Sequence, residues 1–201
     1  MTDKAEVSTR QILTAALAVQ AVALAIAVAG FHFTGIAASW GVDAVFMAIA
    51  LGVAGALASY WIGRAITRSN TSAGNTLRNH CEKLHRVFCH LNWWQIGVLA
   101  VTAGVCEELL FRGFLQPWIA SFSTPLVGLL VASVVFGLLH YASSIYFLIT
   151  AVMGLILGAV YWLSESLLTV IVWHGVYDLI ALGVLVKFPR VLGLNGPAGK
   201  H

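Results

Sequence analysis

Residues 93–112 read WWQIGVLAVTAGVCEELLFR, a run of membrane-spanning length that opens on two tryptophans and closes on two glutamates and an arginine. An α-helix needs about 20 apolar residues to cross roughly 30 Å of hydrocarbon, and tryptophan favours the headgroup level at either end. The charges are the anomaly. An ionised group at membrane depth costs about 2.5–3.5 kcal/mol even on the lenient insertion scale, so such groups persist where they pair or where they work. Glu108 and Arg112 are four residues apart; they share a helix face and can form a charge-assisted pair. Glu107 is rotated away by about 100° and needs a partner of its own.

The rest of the chain has the same character. Of its 201 residues 60% are hydrophobic and 9% charged, which is too little polar side chain to cover a soluble globule. Five further apolar runs of crossing length lie near 11–33, 41–63, 124–142, 145–163 and 166–187. The expected fold is all-α, a polytopic transmembrane bundle of about six spans. One membrane domain over 1–201 is expected, with two N-terminal spans in 1–63, a linker at 64–92 and a four-span core at 93–187. A cleaved signal peptide is not expected, because the first run is long, its leading residues carry both signs (Asp3, Lys4, Glu6, Arg10) and more spans follow.

Basic residues near span ends stay on the cytoplasmic side. Arg64, Arg68, Arg78, Lys83 and Arg86 fall in 64–92, Lys4 and Arg10 precede the first span, and Lys187, Arg190 and Lys200 follow the last. The loops at 34–40, 113–123 and 164–165 carry no Lys or Arg. Both termini and the 64–92 segment are therefore expected in the cytoplasm, in a cell membrane of the bacterial inner-membrane kind. The net charge of +3 reports this topology; the basic residues form no nucleic-acid patch. Cys81 and Cys89 lie in the cytoplasmic segment and Cys106 in a span, so no disulfide framework is expected. Within 76–92, Leu77, Cys81, Leu84, Phe88 and Leu91 recur at helical spacing opposite Arg78, Glu82 and Arg86. That pattern describes an amphipathic helix on the membrane surface, a better reading of His80, Cys81, His85, Cys89 and His90 than a metal site. The preceding residues 69–75 are turn-rich.

The remaining deep ionisable groups are His140 in the fourth run and His174 and Asp178 in the sixth. The four-residue spacing of His174 and Asp178 suits a carboxylate that fixes the imidazole's tautomer, or one that reaches into the same cavity. A desolvated Glu107 beside one or two histidines is a general base for water, with His174 the candidate donor to an oxyanion. Two histidines and a carboxylate are also a zinc set, yet His-Glu-x-x-His is absent and no span carries two histidines at ligand spacing. Two other classes compete. A proton-coupled transporter would use buried Glu and His as a relay, but no inverted repeat is visible. A non-catalytic immunity or scaffold protein would use them only as glue between helices.

Glu107-Glu108-Leu109-Leu110-Phe111-Arg112 resembles the Glu-Glu-x-x-x-Arg motif of the CAAX protease and bacteriocin-processing (CPBP, or Abi) family of glutamic intramembrane endopeptidases. Phe136-Gly137-Leu138-Leu139-His140 resembles its Phe-x-x-x-His motif, and His174-Gly175-Val176-Tyr177-Asp178 its His-x-x-x-Asn/Asp motif. The three occur in order within roughly 93–187. The resemblance implies that Glu107 with His140 activates the attacking water, that His174 and residue 178 stabilise the oxyanion, and that Glu108, Arg112 and Phe136 support them. It implies no metal or other cofactor. The implied partners are the bilayer and a peptide or lipid-modified protein, prenylated or leader-bearing, as substrate. Eukaryotic members have Asn at the last position, whereas an ionised Asp178 cannot donate a hydrogen bond; it is expected to orient His174 and leave donation to the imidazole.

Gly154 and Gly158 form a small-x-x-x-small face for close helix packing. Gly113, Pro117 and Trp118 predict a break followed by an interfacial or re-entrant piece. Counting about 1.5 Å per residue from these span ends puts Glu107 near the outer side and His140 near the inner side. If the motifs meet, the third span must start later, tilt, or end in a re-entrant 113–123.

Overall fold

A computed structural model of the chain describes residues 8–41 and 45–194. Among the described residues eight α-helices follow one another: α1 Thr9–Thr34, α2 Val45–Arg68, α3 Ser72–Phe88, α4 Trp93–Glu108, α5 Gln116–Ser121, α6 Pro125–Leu139, α7 Ser144–Ser164 and α8 Leu167–Lys187. A π-helical segment, Leu109–Leu115, joins α4 to α5, and a short 3-10 turn, Pro189–Leu192, follows α8. Among the described residues the only β pairing is an isolated bridge between Trp40 and Ser166. The helix starts carry side-chain caps, from Ser8, Thr71, Asn92, Thr124, Ser143 and Ser166, each satisfying an otherwise orphaned backbone N–H. The all-α membrane bundle is as expected. Four helices, α1, α2, α7 and α8, are long and apolar enough to cross a membrane.

The third and fourth expected spans differ from the sequence reading. Gly113 and Pro117 do not break the third: helical backbone continues from α4 through the π segment into α5, ending at Ser121. Pro117 is tolerated because it falls in the first turn of α5, directly after a wide π turn in which the ordinary α-helical hydrogen-bond ladder is already interrupted. Glu107 therefore sits near the middle of a long helical run. The fourth span is shorter than expected: α6 has 15 residues, about 22 Å of helix, and ends at His140. These two shifts remove the mismatch in depth between Glu107 and His140.

Helix α8 is the centre of the bundle, packed most extensively against α4 and α2. Small residues permit both approaches. A Cβ on Gly104 of α4 would lie 2.8 Å from the backbone nitrogen of Gly175 in α8, and one on Gly52 of α2 would lie 2.7 Å from the carbonyl oxygen of Thr169. The small face on α7 packs as expected: Gly154 lies against the backbone of Ser133 in α6, and Gly158 against Leu129 and Gln116. α1 packs on α4 and the π segment, where buried Ala23 and Ala27 join Cys106, Leu110, Phe111, Phe114 and Phe136 in one apolar cluster. Large apolar side chains such as Val19, Phe46, Trp61 and Leu163 face outward, as they must where lipid is the solvent.

The α3 helix corrects one expectation and adds to another. It begins at Ser72, capped by Thr71, so much of the turn-rich stretch is helical. Its apolar face is covered by protein: Cys81 and Leu84 pack against Leu185, Leu192 and Leu194 at the end of α8 and beyond. His85 Nδ1 lies 2.8 Å from the carbonyl oxygen of Leu185. The helix is amphipathic, and its partner is the end of the bundle.

Candidate active site

The close crossing of α4 and α8 at Gly104 and Gly175 brings the charged ends of the first and third motifs together. Glu108 and Arg112 are fully buried, at 0% and 1% exposure, and pair at 2.8 Å. The guanidinium also donates to the carbonyl oxygen of Gly154 at 3.0 Å and lies 4.7 Å from the ring centroid of Phe136. The same Glu108 Oε1 is 2.7 Å from Nδ1 of His174. A carboxylate only accepts, so the imidazole donates from Nδ1, and Glu108 fixes its tautomer and orientation. Here the structure departs from the sequence reading, which gave that task to Asp178. The Asp178 carboxylate is on the far side of the ring, 3.5 Å from Nε2 and one-third exposed, too distant for a good hydrogen bond. A cross-helix contact has displaced the intrahelical one.

Glu107 projects from the other side of α4. Its Oε1 accepts a hydrogen bond from Nε2 of Gln20 in α1 at 2.8 Å, and its Oε2 is 3.6 Å from Nε2 of His140. His140 caps the end of α6 and turns Nδ1 to the carbonyl oxygen of Phe136 at 2.8 Å, where only a donor is useful. In the neutral imidazole Nε2 is then an acceptor facing the carboxylate. The Phe136 ring lies 4.5 Å from the imidazole of His140 and 5.9 Å from that of His174, centroid to centroid. One phenylalanine thus separates the two histidines and shields the Glu108–Arg112 pair beneath them.

Glu107, His140, His174 and Asp178 all open onto a cavity of about 430 Å³ whose remaining wall is largely apolar. Part of the wall comes from α2, through Tyr60 and Arg64, and part from α3, through His80 and Cys81. Burial pushes the Cys81 thiol up to about 11 and, with the neighbouring charge of Lys83, lowers the imidazole of His80 from its ordinary value. Both are therefore uncharged at neutral pH. A branch of about 100 Å³ continues past Phe136 and Tyr146 toward Met153 and Leu157. Among the described residues no group of three or more His, Cys, Asp or Glu is arranged to hold a metal ion.

A family model described as type II CAAX prenyl endopeptidase Rce1-like matches residues 89–180. Over that segment the chain is similar to the CAAX protease family. The matched segment runs from just before α4 into α8 and contains all three motifs, so the match takes in the whole buried cluster. Comparison with curated proteins and with solved structures gives no match.

Two polar residues that adjoin this cluster are absent from the sequence reading. Gln116 donates to the carbonyl oxygen of Gly158 at 3.0 Å and ties the π segment's end to α7, much as Arg112 does one turn earlier. Gln20 touches Glu107 itself and lies outside the matched segment. Its signal was available, since it is the only polar side chain between Ala15 and Phe31, and an isolated amide in a lipid-facing helix requires a partner inside the bundle.

Proposed function

We propose that the protein is an intramembrane endopeptidase of glutamic type, hydrolysing a peptide bond in a membrane-associated substrate that is prenylated or carries a leader. The observation that carries this reading is the 3.6 Å separation of Glu107 Oε2 and His140 Nε2 at the wall of a cavity that also receives His174. Two acceptors at that spacing suit a water molecule that donates one O–H to each. The water oxygen attacks the scissile carbonyl carbon, and Glu107 takes the proton released. That proton passes to the amide nitrogen as the C–N bond breaks, leaving a carboxylic acid and an amine.

The developing oxyanion needs a preorganised donor. His174 already donates Nδ1–H to Glu108, so its Nε2 donates only when the ring is an imidazolium. Glu108 on one side and Asp178 on the other carry the charge that balances such a cation. In this reading Asp178 contributes charge rather than orientation. The apolar remainder of the cavity suits an apolar side chain or a lipid substituent. The basic residues of α2 and α3 support a cytoplasmic position, in a bacterial-type inner membrane, for the α3 wall of the cavity and for both termini. The test is hydrolysis by Glu107→Gln and His140→Ala variants that retain the wild-type melting temperature; the reading requires both to be inactive.

A further inference from the structure

Gln20 belongs to α1, a helix that carries none of the three motifs, yet its side chain holds the proposed base. The orientation of its amide follows from chemistry: Glu107 Oε1 only accepts, so the group 2.8 Å away is Nε2–H₂. That bond fixes which oxygen of Glu107 is free to turn toward His140. Gln20 lines the same cavity as Glu107, His140 and His174, so the contact is made at the site itself and not behind it.

We infer that Gln20 is the positioning residue of the site: its Nε2 fixes Glu107 against His140. This rests on the reading of Glu107 as the base. The apolar faces of α1 at Ala23 and Ala27, which pack into the cluster around Cys106 and Phe136, hold the amide at its station. The first helix is thereby part of the catalytic apparatus, and not only a membrane anchor for it.

The test uses the full-length protein in proteoliposomes and a peptide that the wild type cleaves. Gln20→Leu keeps the volume and removes the hydrogen bond to Glu107. It is expected to unfold like the wild type and to lose roughly ten- to a hundredfold in kcat, the scale of one hydrogen bond to a charged group, with KM little changed. Gln20→Glu is the second arm. The carboxyl introduced by that substitution donates to Glu107, as the amide does, while it is protonated, and repels Glu107 once it is ionised. The ratio of Gln20→Glu to wild-type kcat is therefore expected to rise steadily as pH falls. Taking the ratio removes the pH dependence common to both proteins. Wild-type kcat in a folded Gln20→Leu protein, or a Gln20→Glu ratio that is constant with pH, overturns the inference. Glu107→Gln, assayed in parallel, separates the two levels: if it is inactive while Gln20→Leu is unimpaired, only the role of Gln20 falls, and if it is active, the reading of the base falls with it.

Discussion

His174 donates a hydrogen bond from Nδ1–H to Glu108 at 2.7 Å, the carboxylate that also neutralises Arg112 at 2.8 Å. The second glutamate of the pair at 107–108 is thus the hinge between a structural ion pair and a working imidazole, with both of its contacts made through one oxygen. Stability and chemistry are coupled there.

Removing that carboxylate strands the Arg112 charge in a fully buried site. Glu108→Gln is expected to cost about 3–5 kcal/mol, the scale for breaking one side of a buried pair, and to appear as a large fall in melting temperature in detergent. The double variant Glu108→Leu with Arg112→Met removes both charges and is expected to recover most of the stability without recovering activity, because His174 is left without its acceptor. Recovery of activity in the double variant would show that Glu108 acts on the fold alone.

Asp178 makes the opposite case. Its carboxylate is one-third exposed and 3.5 Å from Nε2 of His174, an imidazole that Glu108 already holds and balances from the other side. Asp178→Asn is expected to fold normally and to retain activity within about tenfold, since the amide can donate where the carboxylate could not. Complete inactivity of a well-folded Asp178→Asn protein would assign the aspartate a role that its geometry does not give it.

The α4–α8 crossing is testable at two glycines of one helix. A Cβ on Gly104 would meet the backbone of Gly175 at 2.8–2.9 Å, whereas one on Gly97 would meet nothing within 4 Å. Gly104→Ala must push the helices apart and is expected to destabilise by about 1–3 kcal/mol, the scale of overpacking, with a matching loss of activity. Gly97→Ala is expected to be neutral or stabilising by about 0.5–1 kcal/mol, the difference in helix preference. Equal behaviour of the two in thermal unfolding would remove the close crossing as the feature that assembles the site.

These residues also show where the sequence was legible. Charges inside apolar runs are conspicuous because lipid makes them costly, so Glu107, Glu108, Arg112, His140, His174 and Asp178 stood out without a structure, and helical spacing alone paired Glu108 with Arg112. The same rule of spacing misled at Asp178: four residues along a helix made it the natural partner of His174, but the contact that forms is between helices, set by two glycines far apart in sequence. Pro117 and Gly113 read locally as breakers, and nothing local announces a π turn that absorbs a proline. The apolar stripe on α3 was legible, but not what covers it, since lipid and protein select the same side chains. Gln20 carries no charge and its partner lies 87 residues away, so only its isolation in an apolar helix marked it.

The central claim is that Glu107 removes a proton from the attacking water. The most direct measurement is the single-turnover rate of Glu107→Gln in proteoliposomes on a peptide that the wild-type protein cleaves, with melting temperature measured on the same preparation. The substitution keeps the size and the hydrogen-bonding shape of the side chain and removes only its capacity to take a proton. The account predicts unchanged melting and a rate lower by a factor of about 10²–10⁴, the typical contribution of a general base. A folded Glu107→Gln protein that cleaves within a few-fold of the wild-type rate would contradict it.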